Sequence, residues 1–281
     1  MSRRLSAFWG IWLAAPRRNI QNRDMKVVIL AGGLGTRLRE ETEYRPKPMV
    51  EIGDRPILWH IMKLYASQGH TEFVICLGYK GDQVRDYFLN YEMRNRDFTI
   101  VLGSHEVDVH DVHGESGWRV TLADTGKNTM TGGRIKRIRK YVGDSTFMVT
   151  YGDGVANIDL AGLLACHEKQ GRLATVTAVR PSSRYGELAI RDSKVVLFRE
   201  KPQVTEGWIN GGFFVFNPAV LDLIEDDTDV LETGLLSRLS ELGELAVYQH
   251  DGFWQCMDTY RETQFLNDLW ERAVAPWKIW P

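Results

Sequence analysis

The chain has 281 residues, 43% of them hydrophobic, and a formal net charge of −2. That length can bury a sizeable core as one or two domains, and the near-neutral balance shows no electrostatic footprint for nucleic acid. Cys76, Cys166 and Cys256 stand far apart, odd in number and without C-x-x-C or metal-ligand spacing, so reduced thiols in a cytoplasmic protein are expected.

Residues 1–24 place Arg3-Arg4 before the apolar stretch 5–15, the layout of a short secretory signal. The stretch is too short to span a bilayer, so no membrane segment is expected. Two readings stand: a secretory signal, or an extension that is disordered or not native, ahead of a single domain at 25–281.

Residues 27–37 read V-V-I-L-A-G-G-L-G-T-R. A β-branched, aliphatic run ending in three glycines predicts a buried strand that delivers a tight loop. Bare backbone N–H groups and the Arg37 cation suit phosphate oxygens. The dinucleotide fingerprint fails at Leu38, and the Walker loop fails at Thr36-Arg37. A turn that is glycine-rich for steric reasons is the plainer alternative. The chain beyond Met25 reads as nucleotide chemistry with no disulfide pattern, which favours the extension reading of 1–24.

Residues 40–54 are polar and proline-rich, and Pro46 and Pro48 predict extended backbone around Lys47 with a presented ammonium. An ordinary solvated loop lysine is the alternative. A helix is predicted at 56–67, with Leu58, Ile61, Met62 and Tyr65 on one face. A strand at 72–77, a helix at 82–91 and a strand at 98–102 come next. This alternation predicts an α/β, largely parallel sheet with helices on both faces.

The stretch 105–113, H-E-V-D-V-H-D-V-H, offers metal-ligating residue types. Val107 and Val109 alternate with polar residues, which favours a half-exposed strand in a protruding hairpin, a candidate oligomer contact. A strand at 120–123 feeds a second glycine-rich turn, D-T-G-K-N-T-M-T-G-G-R. Ile135, Ile138, Tyr141 and Val142 then mark a helix with a solvated basic face, and Arg134 stands at its start, where a ligand could sit.

The strand at 147–151 ends in Gly152-Asp153-Gly154. The carboxyl end of a strand is where open α/β sheets place ligands, and a hard carboxylate there suits Mg²⁺ bridging phosphates; a plain Asp-Gly turn is the alternative. A helix at 160–169 and a strand at 173–179 come after it. Residues 185–201 read as a hairpin around Asp192-Ser193, ending in Glu200-Lys201-Pro202. The strand W-I-N-G-G-F-F-V-F-N has glycines that admit a close ligand. Helices near 218–224 and 231–242, a strand at 245–250 and a last helix after M-D-T-Y-R complete the chain. Trp270, Trp277 and Trp280 are expected to pack.

Arg37 in its glycine loop, Lys47 in P-K-P, Asp153 in G-D-G, Lys201 in E-K-P and Asp258 in M-D-T together resemble the sugar-phosphate nucleotidyltransferases. The resemblance runs from Met25 to about Lys278. It implies a Rossmann-like mixed, mostly parallel sheet flanked by helices, the nucleotide-diphospho-sugar transferase fold, with a smaller β-rich sugar-binding part. The stretch without a glutamine in D-T-G…M-T-G-G-R resembles the cytidylyl branch rather than the uridylyl and thymidylyl ones, whose G-L-A-Q glutamine reads the base.

The resemblance implies CTP and α-D-glucose 1-phosphate as substrates, Mg²⁺ as cofactor and a homo-oligomer. It assigns nucleotide binding to Leu30, Ala31, Gly32, Gly33, Leu34, Gly35, Thr36 and Arg37, with Lys47, Thr129, Arg134 and Gly152. It assigns the metal to Asp153 and Asp258, and the sugar phosphate to Gly186, Glu200, Lys201, Asn210 and Gly211. Arg37, Lys47 and Lys201 are the implied catalytic residues. The implied reaction is in-line attack on the α-phosphorus with no general base, because the sugar phosphate is already an anion. Two departures stand out: residues 1–24 fall outside the resemblance, and Cys256 stands where proline is expected and should perturb packing only. A uridylyl or thymidylyl enzyme and a non-catalytic nucleotide-sugar-binding regulator are the rivals on the same fold.

Overall fold

The computed structural model describes residues 25–104, 106–110, 113–181, 187–191, 194–199 and 207–281. Its centre is a seven-stranded sheet. The strands in chain order are β1 (Lys26–Leu30), β2 (Glu72–Leu77), β3 (Arg119–Asp124), β4 (Phe147–Tyr151), β5 (Ala174–Val179), β6 (Ile209–Phe216) and β7 (Leu245–His250). In space they lie as β7-β5-β6-β4-β1-β2-β3.

β1 pairs in parallel with β2 and β4, β2 with β3, and β5 with β7. Only β6 reverses, antiparallel to both β4 and β5. The expected mostly parallel sheet is therefore mixed at a single strand. Pleating sends alternate side chains to opposite faces, and β1 divides the core this way. Val27 and Ile29 join one apolar cluster, with Leu58, Ile61 and Tyr65 of α1 (Ile57–Ser67). Val28 and Leu30 join the other, with Ile135 and Ile138 beside α2 (Thr131–Arg137). Both faces are covered, which is why β1 reads as an unbroken apolar run.

The helix α1 begins after Pro56, within a residue of its predicted start, and the chain leaves it through Gly69 at φ +92. The last helix, α3 (Tyr260–Glu271), starts with a capping box in which the Thr259 hydroxyl accepts from the Glu262 N–H and the Glu262 carboxylate accepts from the Thr259 N–H. The tryptophans do pack. Trp277 is wholly buried and its Nε1 donates to His60 Nδ1 at 3.4 Å, while His60 Nε2 lies 2.9 Å from the Ile52 carbonyl. These contacts require a neutral imidazole with its proton on Nε2. Burial lowers the His60 pKa to about 4.

Several local expectations change. The strand at 98–102 does not join the sheet: Phe98–Val101 pairs only with Glu106–Val109, as a separate hairpin. Alternation cannot tell a sheet strand from a projecting one. Lys47 is not in extended chain but starts the 3₁₀ turn Lys47–Met49, after an extended Pro46. The segments at 218–224 and 231–242 are tighter and wider than α: Pro218–Leu223 is 3₁₀, and Leu231–Leu236 is a π-turn before Ser237–Glu241. The hairpin at 185–201 is present as Glu187–Arg191 against Lys194–Arg199; its turn residues lie outside the described residues.

Candidate active site

The carboxyl ends of β1 and β4 open onto one cleft of about 320 Å³. The two strand ends are joined there by a bond from the Gly152 N–H to the Leu30 carbonyl at 3.0 Å. The glycine loop forms one wall from Leu30 to Gly33 and from Gly35 to Arg37; Leu34 is exposed. Gly32 is required sterically, because a Cβ there would stand 2.3 Å from the Arg134 guanidinium. Gly35 adopts φ +62, a backbone that side chains resist.

Lys47 reaches the cleft floor with its side chain only 10% exposed. Its ammonium donates to Asp153 Oδ2 at 2.6 Å and to Asp258 Oδ1 at 2.5 Å. Arg37 Nη1 donates to the other oxygen of Asp258, Oδ2, at 3.0 Å. Four residues named from sequence thus form one alternating chain of charge: Arg37, Asp258, Lys47, Asp153. The alternative reading of Lys47 as a solvated loop lysine is overturned. Burial works against the Lys47 ammonium, but the Asp153 and Asp258 carboxylates outweigh it and raise its pKa above the ordinary lysine value. Burial also works against the Asp258 anion, yet Lys47 and Arg37 hold its pKa below the usual range.

The two carboxylates lie far apart in sequence, Asp153 mid-chain and Asp258 near the C-terminal end, and are joined by backbone. Gly154–Ala156 pairs antiparallel with Trp254–Cys256, and the Met257 N–H donates to the Asp153 carbonyl at 2.8 Å. Both carboxylates converge on a single positive charge, the Lys47 ammonium. Two hard oxygen donors facing one cation, at the edge of a cleft with room for phosphate, fit Mg²⁺, which takes one or two carboxylates and completes its shell from phosphates and water. Cys256 does more than alter packing: its Sγ lies 3.7 Å from Asp258 Oδ2, and burial raises its thiol pKa to about 12, which keeps it protonated as a weak donor to that carboxylate.

Thr129 and Arg134 also line the cleft, and both are buried. Arg134 differs from its solvated neighbours in what it holds. Its Nη1 donates to the Leu77 carbonyl at 2.9 Å, and to Thr125 Oγ1 and the Gly126 carbonyl at 2.8 Å each, while Nη2 donates to the Gly32 carbonyl at 3.0 Å. The guanidinium therefore ties the glycine loop to the end of β2. Burial lowers its pKa.

Asn210 and Gly211 stand at the start of β6, outside the lining of this cleft, and Trp254 Nε1 donates to the Gly211 carbonyl at 2.8 Å. Gly186, Glu200 and Lys201 lie outside the described residues. The cleft also contains residues that sequence reading passed over: Pro48, Met130, Thr131 and Tyr151. Pro48 and Thr131 sit inside quoted motifs, so motif membership was their signal. Met130 and Tyr151 also sit inside resembling stretches, M-T-G-G-R and T-Y-G-D-G-V-A, where no role was assigned to them.

A family model described as nucleotidyl transferase matches residues 26–258. The chain is 51% identical over 257 residues to a protein of Salmonella typhimurium called glucose-1-phosphate cytidylyltransferase, covering 91% of this chain and 100% of that one. A protein of the same name from Salmonella typhi is also 51% identical with the same coverage. Among solved structures, HddC from Yersinia pseudotuberculosis superimposes with a TM-score of 0.63 at 24% identity, covering 88% of this chain and 99% of that one.

Proposed function

The chain belongs to the nucleotidyl transferase family, and from that premise we propose that it transfers a cytidylyl group from CTP to α-D-glucose 1-phosphate, giving CDP-glucose and pyrophosphate. The observation that carries the reading is the alternating charge chain Arg37–Asp258–Lys47–Asp153 on the floor of a cleft walled by the glycine loop. The 51% identity to proteins called glucose-1-phosphate cytidylyltransferase supports the choice of nucleotide and sugar.

The acceptor phosphate is already a nucleophile, so the work is to align two polyanions and neutralise their charge. Backbone N–H groups of the glycine loop would receive the triphosphate, and Arg37, exposed at 77% and paired with Asp258, would exchange that partner for the leaving pyrophosphate. Lys47 sits beside both carboxylates and guides the α-phosphate. Lys201 and Glu200 carry the sugar-phosphate role that the resemblance implies. Asp153 and Asp258 would hold Mg²⁺, which would supply positive charge to offset that of the phosphates.

The exposed apolar residues of the Phe98–Val101 and Glu106–Val109 hairpin, among them Phe98, Ile100 and Val107, support the homo-oligomer, which light scattering tests. The three free cysteines support a cytoplasmic setting. Among the described residues no helix is long and apolar enough to cross a membrane.

The deciding experiment is a panel of CTP, UTP, dTTP and GTP with glucose 1-phosphate, read as pyrophosphate release with and without Mg²⁺. A preference for CTP, dependent on the metal, is the expected result. Turnover with UTP or dTTP in preference to CTP would transfer the chain to another branch, and no turnover with any of the four would favour a binding role.

A further inference from the structure

The cleft, lined by Thr131 and Tyr151 among others, is joined to Asn210 at the start of β6 by a run of hydrogen bonds. Asn210 Nδ2 donates to the Tyr151 hydroxyl at 3.3 Å. The Tyr151 hydroxyl donates to Glu232 Oε1. The second carboxylate oxygen of Glu232 accepts from Thr131 Oγ1 at 3.3 Å, and that same hydroxyl oxygen accepts from the Leu231 N–H at 2.8 Å. Every donor in the run points toward the carboxylate. Asn210 is fixed at its other end too, because its Oδ1 accepts from the Gly212 N–H at 2.9 Å.

Backbone geometry is arranged around this run. Gly212 adopts φ +78, and a Cβ there would meet the Tyr151 ring at 2.4 Å, so the ring lies directly on the β6 backbone. Glu232 projects from the single π-turn of the described chain, at Leu231–Leu236; such turns recur at functional sites. Glu232 and Asn210 are exposed and Tyr151 and Thr131 half-buried. Bonds at such an open surface contribute little to folding. Their result is orientation: they fix which way the Asn210 amide faces and hold the start of α2 against β6.

We propose that Tyr151 and Glu232 are positioning residues for the transfer reaction. Tyr151 presents the Asn210 amide to the sugar phosphate, and Glu232 couples that side to Thr131 on the nucleotide side. This deepens the function proposed above and rests on it. Neither residue is assigned contact with the reacting atoms.

The test is steady-state kinetics of wild type, Tyr151→Phe, Glu232→Gln and Glu232→Ala, using whichever nucleotide the wild type accepts, together with the melting temperature of each. Wild-type turnover judges the assigned function, and only the variants judge this proposal. Tyr151→Phe keeps the ring and removes the hydroxyl that holds Asn210. It should raise the KM for the sugar phosphate about fivefold, the worth of one neutral hydrogen bond, with kcat and the KM for nucleotide within twofold. Glu232→Ala cuts both arms and should raise both KM values. Glu232→Gln keeps an acceptor for Tyr151 and should restore the sugar-phosphate KM. Melting temperatures should stay within a few degrees. Unchanged KM values in Tyr151→Phe, a loss in Glu232→Gln as large as in Glu232→Ala, or KM changes that track a fall in melting temperature would each overturn it.

Discussion

Replacing Lys47 with methionine tests the charge chain on the cleft floor. Methionine is close in length and apolar, so it fills the 10% exposed space of the lysine stem and removes only the ammonium. Asp153 and Asp258 then face each other with no cation between them; their side chains are 30% and 26% exposed. Removing one member of a fully buried pair costs about 3–5 kcal/mol. Water reaches both carboxylates here and screens their repulsion, which brings the cost down to about 1–2 kcal/mol. For a chain of this size that lowers the melting temperature by roughly 3–6 °C. The loss should be partly reversed by millimolar Mg²⁺ added without nucleotide, because the vacated position between the carboxylates suits that cation. Wild type, in which the Lys47 ammonium must first leave the carboxylates before a metal is held there, should respond much less without nucleotide. Differential scanning fluorimetry with and without MgCl₂ reads both effects. If Lys47→Met melts with wild type and responds to Mg²⁺ no more than wild type does, the ammonium is not the counter-charge of this pair. Turnover of the variant should fall at least a hundredfold, the scale of losing one preorganised charge.

Arg37→Ala and Asp258→Ala should each lower kcat by about a hundredfold or more, while Arg37→Ala, made at a side chain 77% exposed, leaves the melting temperature nearly unchanged; near-normal turnover would contradict their roles. Folding stability should fall on acidification through His60. Its folded pKa of about 4 lies below the ordinary 6.5, so the unfolded chain binds the proton first and stability is lost as pH falls from 6.5 toward 4. Urea unfolding at pH 7.5 and 5 should differ by about 2 kcal/mol from this group, and His60→Asn, which does not titrate, should lack that part of the difference. Trp277→Ala removes a wholly buried ring and the donor to His60, and should cost about 3–5 kcal/mol; a variant as stable as wild type in urea would show that the C-terminal segment does not close the core.

The strands whose side chains are buried on both sheet faces were legible as apolar runs, β1 and β4 above all. Their spatial order was not. Nothing local in β6 says that it reverses between β4 and β5, because that depends on pairing partners far along the chain. The charged floor was visible one motif at a time. Lys47 between two prolines and Asp153 between two glycines suggested presented groups, but only the fold shows that they touch each other. The Arg134 guanidinium, expected to face a ligand, is taken up largely by backbone carbonyls, a role with no sequence pattern. Tyr151 and Glu232 meet across 81 positions, and neither stands in a run that separates it from ordinary sheet or loop chemistry.

The small two-stranded seam between Gly154–Ala156 and Trp254–Cys256 sets a timetable for the growing polypeptide. A nascent chain stalled on the ribosome after β6 already owns the glycine loop, Lys47 and Asp153. It lacks the strand that brings Asp258 beside them, so its phosphate cradle has one acid where the finished molecule has two. On the function proposed, such an intermediate would lack the full charge set for triphosphate and metal, and stabilisation by substrate would wait for the last fifth of the message, which encodes Asp258.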